Sequence, residues 1–286
     1  MSVRRLLIGA LAAVLLTAGT AASASASTHH LSGDYLALGD SVAFGYTPPE
    51  TTAALAYFNP HNFVGYPEDF AAATGLHLAN ASCPGETTLS MIKIGAQSNG
   101  CENSVGSPFG YRTIYPLHVF YLGPQLDYAL FYLWLHPHTS LITIDIGAND
   151  MFACQQTTPD NCTGSDFQAA LNKISQNVAA IFSALRNKAH YRGALAVVSY
   201  YSLDYRDPAQ NADSLALNAA LAGPARRYGG VFADGYGAFQ RAAQPYGGNT
   251  CAAGLLVLLP DGTCNIHPSA KGHQVLAGAI TQALGV

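Results

Sequence analysis

Apolar and polar positions along this 286-residue chain follow two rhythms. The first is a short, uninterrupted apolar run that stops at a glycine. Tyr35-Leu36-Ala37-Leu38 ends at Gly39, and Leu141-Ile142-Thr143-Ile144-Asp145-Ile146 ends at Gly147. The second of these is rich in β-branched residues, as buried parallel strands are. Residues 76–81, 195–200 and 231–233 predict three further strands. The other rhythm is helical. Phe167, Leu171, Ile174, Val178, Ile181 and Leu185 recur at spacings of four and three and predict an amphipathic helix. Helices are also predicted at 67–74, closed by Gly75, at 125–135, at 215–228 and at 269–284, opened by Pro268. Strands alternating with helices predict one α/β domain with a mainly parallel sheet and right-handed crossovers. Two stretches lack either rhythm, 90–123 and 245–266, and loops of that length are usually functional.

The chain begins with a third pattern. Arg4 and Arg5 precede an apolar run from Leu6 to Leu16, followed by small residues with Ala-x-Ala pairs at Ala22/Ala24 and Ala24/Ala26. That order predicts a secretory signal peptide over residues 1–26, with a single domain over 27–286 and an extracellular destination. The apolar run is too short to span a bilayer comfortably. Without those two arginines, 11 basic residues face 17 acidic ones, so no basic face for nucleic acid is expected. Six cysteines remain, Cys83, Cys101, Cys154, Cys162, Cys251 and Cys264. An even number in an oxidising compartment predicts three disulfides, and fifteen pairings are open. Sequential pairing, Cys83–Cys101, Cys154–Cys162 and Cys251–Cys264, closes three short loops and is the most economical. No Cys-x-x-Cys occurs, and no metal or cofactor is expected.

Four short constellations carry candidate chemistry, each where a strand ends, the edge at which sites assemble in open parallel sheets. In Gly39-Asp40-Ser41-Val42 a serine follows the first strand on a sharp turn. It presents its hydroxyl and a backbone N–H to a developing oxyanion, or else merely caps a helix. Cys83-Pro84-Gly85-Glu86 follows the second strand, and Gly85 offers an unobstructed N–H or simply serves a turn. In Gly147-Ala148-Asn149-Asp150, Asn149 aims its amide at negative charge or forms an Asx-turn, with Asp150 holding the loop. In Asn265-Ile266-His267-Pro268, a histidine is fixed before a helix-initiating proline. His61, His77, His118, His136 and His190 lack such a setting, and His273 falls inside the last helix, where local packing is its expected role.

Together these blocks resemble the SGNH hydrolases, the GDSL-type esterase and lipase family, with Val42 in place of the usual leucine. All four arrive in the family's order, and export, six cysteines and the run Pro124-Gln125-Leu126-Asp127 are similar to its actinobacterial secreted branch. The resemblance implies a flavodoxin-like, three-layer α/β/α fold and a serine esterase or lipase. Ser41 would be the nucleophile and His267 the general base. The N–H groups of Ser41 and Gly85 and the Asn149 amide would form the oxyanion hole. Monomeric action on a small-molecule or lipid ester follows, with transient contact to a lipid surface.

One position departs from the family. The aspartate usually found three residues before the histidine is here Cys264. Two substitutes present themselves: the Cys264 backbone carbonyl, giving a Ser–His dyad, or Asp261 looping back. The carbonyl is the preferred expectation. The Gly-x-Ser-x-Gly of an α/β-hydrolase is absent, since Ala43 follows Val42. Carbohydrate acetyl esterase and lysophospholipase chemistry suit the same residues, and a secreted binding protein with a dead site is the competing class. The segment 111–121 and the run Leu255-Leu256-Val257-Leu258-Leu259 are candidate walls of an acyl groove, the latter equally a core segment.

Overall fold

A computed structural model of the chain describes residues 31–102 and 110–286. The expected signal peptide lies outside the described residues. From the amino terminus the elements are β1 (Asp34–Gly39), α1 (Ser41–Phe44), α2 (Tyr66–Thr74), β2 (His77–Asn80), α3 (Tyr111–Ile114), α4 (Gln125–Leu135), β3 (Thr139–Asp145) and α5 (Ala148–Thr157). Then come α6 (Gly164–Ser183), β4 (Ala194–Val198), α7 (Pro208–Arg227), β5 (Val231–Ala233), α8 (Gly235–Ala243), β6 (Leu256–Leu258), β7 (Cys264–Pro268) and α9 (Ala270–Leu284).

Strands β1 to β5 form one parallel sheet in the order β2-β1-β3-β4-β5. Helices α2, α8 and α9 pack together as one layer, and α6 against α7 as another. This is the three-layer, flavodoxin-like arrangement of the SGNH hydrolases, and its strand order reverses between β1 and β3. The central strands are apolar because both faces are covered: Tyr35 to Leu38, Leu141, Ile142, Leu195 and Ala196 are all buried. Helix α6 turns Leu171, Ile174, Val178 and Ile181 into that core. Each such side chain contributes ~1.5–3 kcal/mol relative to staying exposed.

Three differences from the sequence reading bear on function. Helix α7 begins at Pro208 rather than near 215, because Asp207 caps it and the proline occupies its first turn. Helix α8 was not anticipated, as Gly235 and Gly237 dilute its pattern. The stretch 245–266 holds a two-stranded antiparallel ribbon, β6 with β7, separate from the main sheet. Its leucine run holds the ribbon's first strand, with Leu255 and Leu256 buried and Leu258 exposed, and it does not line the cavity beside Ser41.

The disulfides join Cys83 to Cys101, Cys154 to Cys162, and Cys251 to Cys264. The last fastens the segment before β6 to the start of β7. Among the described residues, no helix is long and apolar enough to cross a membrane.

Candidate active site

The turn after β1 is set by its backbone. Gly39 has φ +144°, and a Cβ there would lie 2.3 Å from Asp145 Oδ1 and 2.4 Å from the Asp145 carbonyl. Only glycine allows β1 and β3 to end this close together. Gln125, fully buried at the start of α4, holds the same residue from the other side. Its Oε1 accepts the Gly39 N–H (2.9 Å), and its Nε2 donates to the Gly39 carbonyl and to Glu86 Oε2, both at 2.8 Å. Asp40 then caps α1, its Oδ1 accepting the Val42 N–H at 2.9 Å. Ser41 is therefore the first residue inside the helix rather than its cap, and its hydroxyl is free for another partner.

That partner is His267. Its Nε2 lies 2.9 Å from Ser41 Oγ. On the far side of the ring, Nδ1 lies 2.6 Å from Asn265 Oδ1, which also accepts the His267 backbone N–H at 3.1 Å. A backbone N–H can only donate, so the atom facing it is the amide oxygen. The same oxygen then requires hydrogen on Nδ1, which leaves Nε2 with a lone pair towards Ser41. The expected orienters are thus corrected. Neither the Cys264 carbonyl nor Asp261 reaches the ring, because Asn265 folds back along the ribbon to occupy that place. Asp261 instead accepts from the N–H and hydroxyl of Thr263 on the exposed ribbon turn. Burial without a neighbouring carboxylate lowers the His267 pKa from 6.5 to about 4.

Gly85 and Asn149 line the same cavity as Ser41 and His267. The N–H groups of Ser41 and Gly85 donate to no acceptor among the described residues. Asn149, near the start of α5, is buried and held at both ends of its amide. Its Nδ2 donates to Asp40 Oδ2 (3.3 Å), and its Oδ1 accepts from Asn99 Nδ2 (2.9 Å). Asp40 Oδ2 also takes the Tyr200 hydroxyl at 2.5 Å. Asp150 holds the loops together, accepting from the Thr88 N–H (2.8 Å) and the Thr88 hydroxyl (2.5 Å).

Burial raises the pKa values of the carboxyls beneath the site, Glu86 to about 7 and Asp150 to about 6. Asp40 and Asp145 form a close pair whose pKa values burial likewise raises. Asp145 keeps the proton, since its Oδ2 has no partner among the described residues while Asp40 collects three donors.

The cavity has a volume of about 770 Å³. Tyr46, Tyr111, Ile114 and Tyr115 wall one side, and Met151, Phe152, Phe167 and Leu217 contribute further apolar surface. The Tyr46 ring lies 4.9 Å from the His267 ring. From the segment 111–121, then, α3 and the residue after it enter the wall, whereas the Tyr121 hydroxyl is turned away to the Ala81 carbonyl. Among the described residues that line the cavity there is no lysine or arginine. Sequence reasoning assigned no role to Asn265, Asn99, Gln125 or Tyr200. Asn265 stands two residues from the histidine and Gln125 within the run 124–127, whereas Asn99 and Tyr200 carried no local signal.

A parallel sheet of this order, with a serine and a histidine in hydrogen bond beyond its strand ends, defines a class of hydrolytic fold. The chain belongs to the GDSL-like lipase/acylhydrolase family, whose sequence profile matches residues 37–275. No curated protein sequence matches it. Among solved structures it is similar to phospholipase A1 from Streptomyces albidoflavus, at 19% identity and a TM-score of 0.54, covering 88% of this chain and 98% of that one. It is also similar to Axe2, an acetylxylan esterase from Geobacillus stearothermophilus, at 15% identity and a TM-score of 0.51, covering 90% and 97%. Carboxylic ester hydrolysis is the chemistry of this family and of these neighbours.

Proposed function

We propose that the chain is an exported serine esterase of one domain that acts as a monomer on uncharged carboxylic esters with a sizeable apolar acyl chain. The observation that carries the reading is the 2.9 Å contact between Ser41 Oγ and a His267 Nε2 whose tautomer is set by Asn265. Serine is a weak nucleophile until a base takes its proton. Here Nε2 receives that proton as Oγ bonds to the ester carbonyl carbon. The carbonyl oxygen becomes an oxyanion and accepts from the Ser41 and Gly85 N–H groups and the free N–H of Asn149. Collapse breaks the bond to the alcohol oxygen, which leaves with the proton from Nε2. Water then repeats the sequence on the acyl-enzyme, releasing the acid and restoring Ser41.

The cavity supports the choice of substrate. Its volume of about 770 Å³ far exceeds the need of an acetyl group, and its walls are apolar and aromatic. With no lysine or arginine among the described residues that line it, an anionic headgroup finds no counter-charge on those walls, which disfavours phospholipids and lysophospholipids. A second reading, a carbohydrate acetyl esterase, draws on Tyr46, Tyr111 and Tyr115, whose rings suit stacking on a sugar. Export is supported by the three disulfides. The test is a fluorophosphonate probe followed by p-nitrophenyl esters of rising chain length. Wild type should be labelled at Ser41, Ser41→Ala and His267→Ala should lose hydrolysis, and kcat/KM should rise from acetate to longer acyl groups. Absence of labelling in folded protein would support a dead binding site, and a preference for acetylated xylan would support the second reading.

A further inference from the structure

Two of the three oxyanion donors stand on separate loops, Gly85 on the one after β2 and Asn149 at the start of α5, and something must keep them in register. One residue touches both. The Asn99 backbone N–H donates to the Gly85 carbonyl at 2.7 Å. The two chain segments are pressed together there. A Cβ on Gly85, where φ is +84°, would lie 2.4 Å from the Asn99 carbonyl oxygen. The Asn99 side chain reaches in the other direction and donates from Nδ2 to Asn149 Oδ1 at 2.9 Å. Asp40 Oδ2 already takes one of the two Asn149 N–H groups. With the oxygen and that hydrogen both engaged, one N–H of the amide remains, on the cavity wall. The disulfide between Cys83 and Cys101 brackets the arrangement, each half-cystine standing two residues from Gly85 or Asn99.

We infer that Asn99 is a positioning residue that aligns two of the three oxyanion donors, Gly85 through its main chain and Asn149 through its amide. The inference rests on the acyl-transfer reading above. The residue type follows from the geometry. Alanine keeps the backbone contact but lets the Asn149 amide rotate. Aspartate has the same shape as asparagine but sets an acceptor against an acceptor, and turns the amide so that its oxygen faces the cavity. In either variant the substrate still enters the same apolar cleft. The loss therefore falls on the step in which charge develops, not on ground-state binding.

The experiment compares Asn99→Ala and Asn99→Asp with wild type on p-nitrophenyl butyrate, each also in an Asn149→Ala background, with melting temperatures recorded in parallel. Removing a whole oxyanion donor typically lowers kcat by about 10²–10³, so a misaligned one should lower it by about tenfold or more, with KM within about twofold. In the Asn149→Ala background the Asn99 substitutions should cost less than about twofold further, because the group they align is already gone. The isosteric aspartate separates lost alignment from lost packing. A rise in KM at unchanged kcat, or an equal loss in both backgrounds, would overturn the inference. If wild type fails to take the fluorophosphonate label, it is the acyl-transfer reading that falls, and this result is distinct from either.

Discussion

Replacing Asn265 with aspartate converts the group behind His267 from a carboxamide into a carboxylate of nearly the same shape. The oxygen 2.6 Å from Nδ1 and 3.1 Å from the His267 backbone nitrogen keeps both contacts, so the ring should not move. What changes is charge. In the native protein, burial lowers the His267 pKa to about 4, and the neutral amide brings no opposite charge to the imidazolium. An opposite charge this close favours the protonated ring by about 1–3 pKa units. That is ~1.4–4 kcal/mol of preferential stabilisation. A general base must be neutral to work, so activity falls as pH drops through its pKa. The native enzyme should therefore hold its kcat/KM well below pH 6 and lose it near pH 4. In Asn265→Asp the acid limb should move up by about 1–3 units. The assay is hydrolysis of a p-nitrophenyl ester from pH 3.5 to 8, read at the isosbestic wavelength of the product. An acid limb that stays in place would refute the assignment of Asn265 as the partner of Nδ1. Asn265→Ala is the complement. With the tautomer no longer set, kcat should fall by about a hundredfold or more across the whole profile.

Other expectations follow from the same geometry. Asn149→Ala removes a donor whose amide is fixed at both ends, and kcat should drop by about 10²–10³ at little change in KM, measured by steady-state kinetics. Gly39→Ala places a methyl 2.3 Å from a buried carboxyl oxygen at a positive φ, and denaturant unfolding should show a loss of more than ~3 kcal/mol or no folded protein. Thermal stability should fall as pH rises from 5 to 8. Burial holds Glu68 and Glu86 at about 7 and Asp150 at about 6, so the folded state keeps protons that the unfolded state has released. His118, lowered by burial, and His267 and His273, lowered to about 4 and about 3, act in the opposite sense up to pH ~6.5, but with Asp40 and Asp145 also raised the carboxyls outnumber them. A Tm that climbs over this interval would refute the assignment of protonated carboxyls to the interior.

Elements whose pattern is set by local burial were legible in the sequence. Residues 141–145 form a strand because both faces are covered, and the repeat from Phe167 to Ile181 lies in one helix because one face meets the sheet. The short blocks around Ser41, Gly85, Asn149 and His267 were visible for a related reason, since each is a turn that permits few residue types. The network behind them was not visible. Tyr200 meets Asp40 across 160 residues and Gln125 meets Gly39 across 86, and no spacing rule reports such contacts. Asn265 lies outside the family pattern, which keeps a carboxylate three residues before the histidine. The ribbon bends so that the residue two before reaches the ring. The strands of that ribbon are also short, and a disulfide and a tight turn, not hydrophobic alternation, hold them.

The ribbon's separation from the main sheet splits the chemistry between two parts of the chain. In the proposed mechanism every group that meets the oxyanion stands on the loops leaving β1, β2 and β3. His267, the proton carrier of that mechanism, comes from elsewhere, on a strap fastened by a cystine and by the Tyr201 hydroxyl to the Ile266 carbonyl at 2.6 Å. Substitutions in the strap can retune the acidity at which the enzyme works without disturbing the anion cradle. Substitutions around α3 and α5 can reshape the acyl cleft without moving the base. Adaptation to an environment and adaptation to a substrate thus have separate addresses in one small protein.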